Sequence, residues 1–504
     1  MEGKMGLRDL TIYHLLEHNA RLFGSQPAVI GTRETVSHVE CLRRVDRLAE
    51  GLYQQGIGKG DRICILAQNS LEYFDLYGAC AKTGAIAYPI NWRLSPDEVL
   101  HVTELADPKM IAVGAGHVPQ LEGIDAGKIP VNAIMGDGSV ENYIPFADLY
   151  HEPTHEFEEV CSDDPFVIIS TAAVAGVPRG AVLTHRNMIA AGYPLISSLG
   201  LNADDCHLAA LPLFHITGLG LSLAVVQVGG TNVVMEAFDP VQAASMMDEH
   251  QVTLLADFPP ILSMLLDAKE ASGTKWEKLR YVLGLDAPDV IQRLYTETEA
   301  KFWTGFGQSE IAGVATLGEV MEKPGSAGRP VPLARVRCVD ETGADMPIGD
   351  PGEIVVRGPT VFAGYWRDPD ATYYAFRQDW HHTGDIGRFD TDGYLYYVGR
   401  MPEKDLIKSG GENVYPAEVE HVIQELPEVN AVCVFGVPDP EWGEAVKAVV
   451  ELTPGEKLSG DDIRQAVTDR IASFKKPKVV DFTDSLPRGP DGEIDRVEVK
   501  ARYG

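Results

Sequence analysis

The chain has 504 residues and carries 43 lysines and arginines against 74 aspartates and glutamates, a formal net charge of −31. That excess excludes a nucleic-acid binder, which needs cations to neutralise phosphates, and argues equally against an anionic membrane surface. With 45% apolar and 23% charged residues the composition is that of a folded protein, long enough for about three domain-sized units.

Residues 1–23 read as a mixed polar helix with no charged segment ahead of an apolar one, so no secretory signal is expected. Residues 62–66 (Arg-Ile-Cys-Ile-Leu) read as a buried strand, 70–82 as an amphipathic helix and 84–90 as a second strand. That is a βαβ unit, which implies parallel strands. The same grammar recurs at 166–170, and at 231–235 before a helix around 241–247. From 335 to 397 short alternating strands broken by Asp-Glu-Thr-Gly, Gly-Asp-Pro-Gly and Thr-Asp-Gly turns suggest a β-rich subdomain. Pro416 opens a helix with Val419, Val422, Ile423 and Leu426 on one face; strands at 431–437 and 445–452 and a helix at 461–472 complete a compact α+β unit. The expected class is therefore α/β, with a large domain of βαβ subdomains plus a β-rich subdomain over 1–400 and a small α+β domain over 401–504. Seven scattered cysteines without a CxxC pair fit a reducing cytoplasm, and no apolar run reaches the length of a membrane span.

Four stretches carry chemistry: Thr304-Gly305-Phe306-Gly307-Gln308-Ser309-Glu310; Trp380-His381-His382-Thr383-Gly384-Asp385 with Gly399-Arg400; Lys408-Ser409-Gly410-Gly411-Glu412-Asn413-Val414-Tyr415-Pro416; and Pro212-Leu213-Phe214-His215-Ile216-Thr217-Gly218-Leu219. In this order and spacing they resemble the signature motifs of the adenylate-forming superfamily of acyl- and aryl-CoA synthetases, luciferases and peptide-synthetase adenylation domains. The resemblance runs from about Leu15 to Arg496. It implies an enzyme that joins a carboxylic acid to ATP as an acyl-adenylate and passes the acyl group to coenzyme A, the small domain being mobile between the two steps. Ser309 would offer its hydroxyl to the α-phosphate and Glu310 would hold Mg²⁺. Phe306, Gly307 and Gln308 would flank the nucleotide, Asp385 would accept the ribose hydroxyls, and Arg400 would add a fixed positive fork. His215 would wall the acyl site beside the reacting carbonyl, although a histidine in an apolar run is equally a satisfied core residue. Ser409, Gly410 and Gly411 would let backbone approach the pantetheine arm. Lys475, with Lys476 and Lys478, would meet the phosphates of coenzyme A, or form a solvated patch. Phe214, Leu219, Phe258, Pro259 and Leu262 suggest an apolar or aromatic acyl group.

Three positions depart from the family pattern. The phosphate loop reads Thr171-Ala172-Ala173-Val174-Ala175-Gly176-Val177-Pro178-Arg179-Gly180: Thr171, Gly176, Arg179 and Gly180 keep its frame, but hydroxyls and a glycine are replaced. Such a loop offers the outer phosphates of ATP fewer donors and less freedom. Near the C-terminus Glu493 stands where the family carries a lysine for the adenylation step. At about 4 Å and an effective dielectric near 20, one charge pair is worth about 4 kcal/mol, and here its sign is reversed. The adenine-lining stretch reads Gly284-Leu285-Asp286-Ala287-Pro288, with Asp286, Ala287 and Pro288 taken as its contacts. All three changes fall on adenylation, whereas the AMP and coenzyme A motifs persist. The expectation is an acyl- or aryl-CoA synthetase-like enzyme favouring the exchange of acyl-AMP plus coenzyme A with acyl-CoA plus AMP. Its alternatives are a non-catalytic AMP- or acyl-CoA-binding protein and an ATP-independent hydrolase or lyase of acyl-CoA. Oligomeric state is open, a homodimer included.

Overall fold

The computed structural model describes residues 10–174, 177–401, 406–489 and 494–504. Eight strands form the first sheet, in the order Gly364–Tyr365, Val177–Thr184, Pro165–Val174, Ile86–Pro89, Arg62–Leu66, Met110–Gly114, Val131–Met135 and Ile144–Pro145. Arg62–Leu66 and Ile86–Pro89 pair in parallel, as their βαβ pattern requires. Their connecting helix, Leu71–Thr83, begins where Ser70 Oγ accepts the Tyr73 N–H and stops at Gly84, whose φ of 75° is the left-handed cap that glycine adopts without strain. It buries Tyr73, Leu76, Tyr77 and Cys80, and a leucine such as Leu76 contributes about 2 kcal/mol by leaving water.

The expectation of a further βαβ unit at 166–170 is corrected. Pro165–Val174 turns directly into an antiparallel partner, Val177–Thr184, with Val174 opposite Val177. A connection of two residues closes a hairpin and cannot hold a crossover helix.

The second sheet has nine strands, centred on Cys206–Ala209, Thr231–Val234, Leu254–Asp257, Tyr281–Gly284 and Lys301–Thr304, all paired in parallel. The helix Pro240–Glu249 follows Thr231–Val234 as read from the sequence, with Asp239 accepting the Gln242 N–H at its start. Residues 335–400 form the β-rich unit, in which Trp380–Phe389 pairs with Gly352–Arg357 and Leu395–Arg400.

The C-terminal unit packs the helices Pro416–Gln424 and Gly460–Arg470 on a sheet of Ile407–Ser409, Glu412–Val414, Val429–Asp439, Gly443–Leu452 and Val479–Thr483. Val419, Val422 and Ile423 from the first helix meet Ile463 and Val467 from the second over Val432, Val434 and Val446. The fold class is thus the expected one. No helix among the described residues is long and apolar enough to cross a membrane.

Candidate active site between the two domains

The ribose end is built by strand register. Asp385 on Trp380–Phe389 lies opposite Arg400 on Leu395–Arg400, so the acid and its cation meet across one ladder. Arg400 Nε donates to Asp385 Oδ1 at 2.8 Å, and the Tyr397 hydroxyl donates to the same oxygen at 3.2 Å. Gln308 Nε2 donates to Asp385 Oδ2 and, at 3.1 Å, to the carbonyl of Thr383. Asp385 is buried yet ion-paired, the condition under which a buried carboxylate is tolerated.

Gln308 and Ser309 are held by a tight strand-to-turn geometry. A Cβ on Gly307 would stand 2.0 Å from the carbonyl oxygen of Gly313, so only glycine fits the close approach of Gly307–Gln308 to Gly313–Val314. Ser309 and Glu310 open a short 3₁₀ turn that faces the chamber. Glu310 Oε1 accepts the Tyr365 hydroxyl at 2.8 Å. Among the described residues there is no cluster of three or more metal-ligating side chains. Glu310 therefore fits a Mg²⁺ ion only as a single carboxylate that completes its shell with phosphate oxygens and water.

Two cavities meet here. A chamber of about 700 Å³ is lined by Phe306, Gln308, Ser309, Glu310, Asp385 and Arg400, with Thr171 and an apolar end that includes Leu195, Ile216, Leu283 and Trp303. A tunnel of about 650 Å³ runs between the domains from Arg464, Lys476 and Lys478 past Arg93, Ser409 and Gly410. His215, Phe258, Gly411 and Trp442 line both, and mark the junction. His215 caps the helix Ile216–Gln227 through Nδ1, which accepts the Thr217 N–H at 3.3 Å. The neutral ring therefore carries its proton on Nε2, a donor for a carbonyl oxygen. Burial, reinforced by the charges of Lys408 and Arg93, pulls the His215 pKa down to about 4, which keeps the ring neutral. Gly410 has a φ of 57°, and a Cβ there would lie 2.5 Å from the Trp442 ring.

Six expected contacts are placed elsewhere. Lys475 is buried, paired with Glu98 of the large domain and Glu418 of the small one. Burial alone would lower its pKa, but the two carboxylates outweigh it and raise it. It fastens the domains, and its neighbours Lys476 and Lys478 are the ones that line the tunnel. Asp286 turns from the nucleotide: burial, then the charge of Asp286, hold Asp257 well above the carboxylate range, so Asp257 keeps the proton that Asp286 shares. Ala287 and Pro288 start the helix Pro288–Glu297, leaving Gly284 and Leu285 as the cavity wall. Arg179 Nε donates to Asp368 at 3.0 Å, and its guanidinium lies 5.5 Å from the Tyr365 ring centroid, a position already satisfied. Gly180 is a packing glycine, where a Cβ would stand 2.5 Å from Ile168. Gly176 and Glu493 lie outside the described residues. Of the apolar candidates, Phe258 and Pro259 line the chamber and Phe214 the tunnel, while Leu219 and Leu262 belong to the core.

The interdomain seam was not visible in the sequence. Arg93 Nη1 donates to Glu412 Oε1 at 2.6 Å and Asn91 Nδ2 to Glu412 Oε2 at 3.0 Å. Ser95 Oγ donates to the Arg470 carbonyl at 3.2 Å, and the Ala472 N–H donates to Glu98 at 2.9 Å. Residues 91–98 carry no motif, so only the docked arrangement shows their use.

A two-domain α/β chain with a ribose-binding ladder, a phosphate-facing Ser-Glu turn and a tunnel to the junction defines a nucleotide-dependent acyl-transfer enzyme. The chain belongs to the AMP-binding enzyme family, whose main domain matches residues 16–366 and whose C-terminal domain matches 418–493. It is an acid–thiol ligase of the acyl-CoA synthetase kind. A feruloyl-CoA synthase from Amycolatopsis is 35% identical over 491 residues, 96% of this chain and 97% of that protein. The o-succinylbenzoate CoA synthetase of Bacillus subtilis, as a double mutant with its product analogue, superposes with a TM-score of 0.84 at 28% identity over 98% of this chain and 99% of that one. The same enzyme with its acyl-adenylate gives 0.69 at 27% identity over 97% and 98%. The domain arrangement is thus nearer to that of the product-analogue complex.

Proposed function

We propose that this acyl-CoA synthetase favours the thioester half-reaction: acyl-AMP and coenzyme A give acyl-CoA and AMP, and the reverse. The observation that carries this reading is the docked small domain, whose Ile407–Val414 segment roofs the junction where tunnel and chamber meet at His215. Coenzyme A would thread the tunnel, with Lys476 and Lys478 at its phosphates. The adenylate would lie with its ribose on Asp385 and Arg400, its phosphate at Ser309 and its carbonyl at the His215 Nε2 proton. The thiolate attacks the carbonyl carbon, the C–S bond forms, and AMP leaves with the electron pair of the C–O bond. His215 and Ser309 donate hydrogen bonds to oxygens that gain charge, the arrangement that lowers such barriers. A Mg²⁺ ion on Glu310 would supply charge neutralisation at the phosphates. The apolar end of the chamber supports an apolar or aromatic acyl group. We place the mobile cap at 401–504 and the protein in the cytoplasm, which its seven scattered cysteines without a CxxC pair support.

The test compares half-reactions. Synthetic acyl-adenylates mixed with coenzyme A are expected to turn over faster than ATP–pyrophosphate exchange proceeds with the same acid. Brisk exchange with no thioester formation would sink the reading. Glu493→Lys is expected to speed exchange; an unchanged or slower rate would mean that position 493 does not limit it.

A further inference from the structure

We infer that His381 is a positioning residue of the nucleotide site: it locks the Gln308 amide one way round and, through that amide, sets the carboxylate of Asp385 for the ribose. The inference rests on the functional reading above, in which the ribose lies on Asp385, and adds to it a buried residue behind the chamber wall.

His381 and Asp385 share the strand Trp380–Phe389. His381 keeps the ladder, opposite Val356 on one side and Phe376 on the other. Between His382 and Ile386 the register against Gly352–Arg357 shifts, with Gly384 at a φ of 70°. At this irregularity the Thr383 carbonyl and the Asp385 carboxylate both reach Gln308. Neighbouring side chains of a strand point apart. His382 Nδ1 meets Glu353 Oε2 at 2.7 Å, whereas the His381 ring lies 5.3 Å from that of Phe362 and 5.9 Å from that of Phe376, and the residue is 1% exposed. From this apolar enclosure His381 Nε2 meets Gln308 Oε1 at 3.2 Å.

The chemistry of the partners fixes which atom donates. Gln308 Nε2 faces two acceptors, the Thr383 carbonyl and Asp385 Oδ2. Its Oε1 is therefore the atom toward His381, and it is met by an N–H on the ring Nε2. Turned over, the amide would set Oε1 against two oxygens and its amino group against the imidazole N–H. Asp385 Oδ1 already accepts from Arg400 and Tyr397, while Oδ2 has Gln308 as its one donor among the described residues. The oxygen with a lone pair to spare for a ribose hydroxyl is thus the one that Gln308 holds. The Asp385 N–H donates separately to Thr383 Oγ1 at 3.1 Å, so the backbone is fixed without Gln308, and the amide sets the plane of the carboxylate. A buried polar ring is tolerated when it is hydrogen-bonded, and here the bond orders the ligand site. Without that donor Oε1 is left buried and unpaired, and the amide rotates to find another donor and lets go of Oδ2.

The experiment measures, by calorimetry on the full chain, the affinity for AMP and for the analogue lacking both ribose hydroxyls, 2′,3′-dideoxy-AMP. Wild type is expected to prefer AMP by at least about tenfold, the worth of hydrogen bonds to a charged acceptor. His381→Leu, which keeps the bulk and removes the donor, is expected to cut that preference about tenfold while dideoxy-AMP affinity stays within about threefold. His381→Gln, which offers a neutral N–H at similar reach, is expected to keep the preference within about threefold of wild type. Gln308→Ala is expected to lose the preference, and adding His381→Leu to it should change the result by less than about twofold, because the two act as one unit. A preference in His381→Leu within about threefold of wild type overturns the inference. Equal losses for the two nucleotides overturn it too, since they report a loosened site and not a misplaced carboxylate, and so does a glutamine no better than leucine. A His381→Leu chain that has lost its near-ultraviolet circular dichroism is unfolded; His381→Gln must then keep the preference and Gln308→Ala lose it, or the inference falls. A wild type that binds both nucleotides alike sinks the placement of the ribose on Asp385, and the functional reading with it. A discriminating wild type with an indifferent His381 sinks this inference alone.

Discussion

The ribose end and the phosphate end of the nucleotide site are built on different plans. At the ribose end every group has a partner before any ligand arrives: Asp385 is clamped by Arg400, Tyr397 and Gln308. At the phosphate end the loop has lost hydroxyls and Arg179 is spent on Asp368, leaving Thr171, Ser309 and Glu310 in the chamber lining among the described residues. A preorganised site binds without paying for rearrangement, whereas a depleted one must borrow donors. The contrast suits an enzyme that holds AMP firmly and grips the outer phosphates of ATP weakly.

The largest test of that contrast is Asp385→Ala, which removes the ribose acceptor and strands Arg400. A loss of about 3 kcal/mol, or about 100-fold in AMP affinity by calorimetry, is expected. Ser309→Ala should cost less, about tenfold, because one hydroxyl bond to a charged phosphate is lost. If its effect equalled that of Asp385→Ala, the two ends would not differ as described. Arg179→Ala is expected to change ATP affinity by less than about threefold, since an exposed or half-exposed pair such as Arg179–Asp368 contributes up to about 1 kcal/mol. A tenfold loss would return Arg179 to the phosphates. The smallest signal is at the junction. By NMR the His215 ring should stay neutral until the pH approaches about 4. Its folded pKa lies below the unfolded value of about 6.5, so the stability it contributes is complete above about pH 6.5 and is lost as the pH falls toward 4. Titration near pH 6.5 would show an open, hydrated junction instead.

How much of this could be read from the sequence depended on whether a residue's role was local. Gln308, Ser309 and Glu310 act from one tight turn, so their spacing announced them. Asp385 and Arg400 were recognisable as motif members, but their contact depends on antiparallel register, which no local pattern encodes. Lys475, Lys476 and Lys478 read as one basic cluster. The 3₁₀ turn Ser473–Lys475 instead sends the first inward to Glu98 and Glu418, while the other two line the tunnel. Asp286 looked like a nucleotide contact because it sits in the right stretch, yet the buried Asp257, 29 positions earlier, claims it.

The Lys475 clamp carries a last consequence, for how the domains part. Glu98 lies at the start of the helix Pro96–Ala106, where it also accepts the Ser95 N–H at 2.8 Å in a capping box. Glu418 and Lys475 both belong to the small domain. If that domain swings away as proposed, Lys475 would leave with Glu418 as a ready-made couple and Glu98 would fall back on its own helix end, so neither face would be left with an orphaned charge. The seam is a fastener whose halves would close on themselves, so the proposed movement would strand no charge on either face.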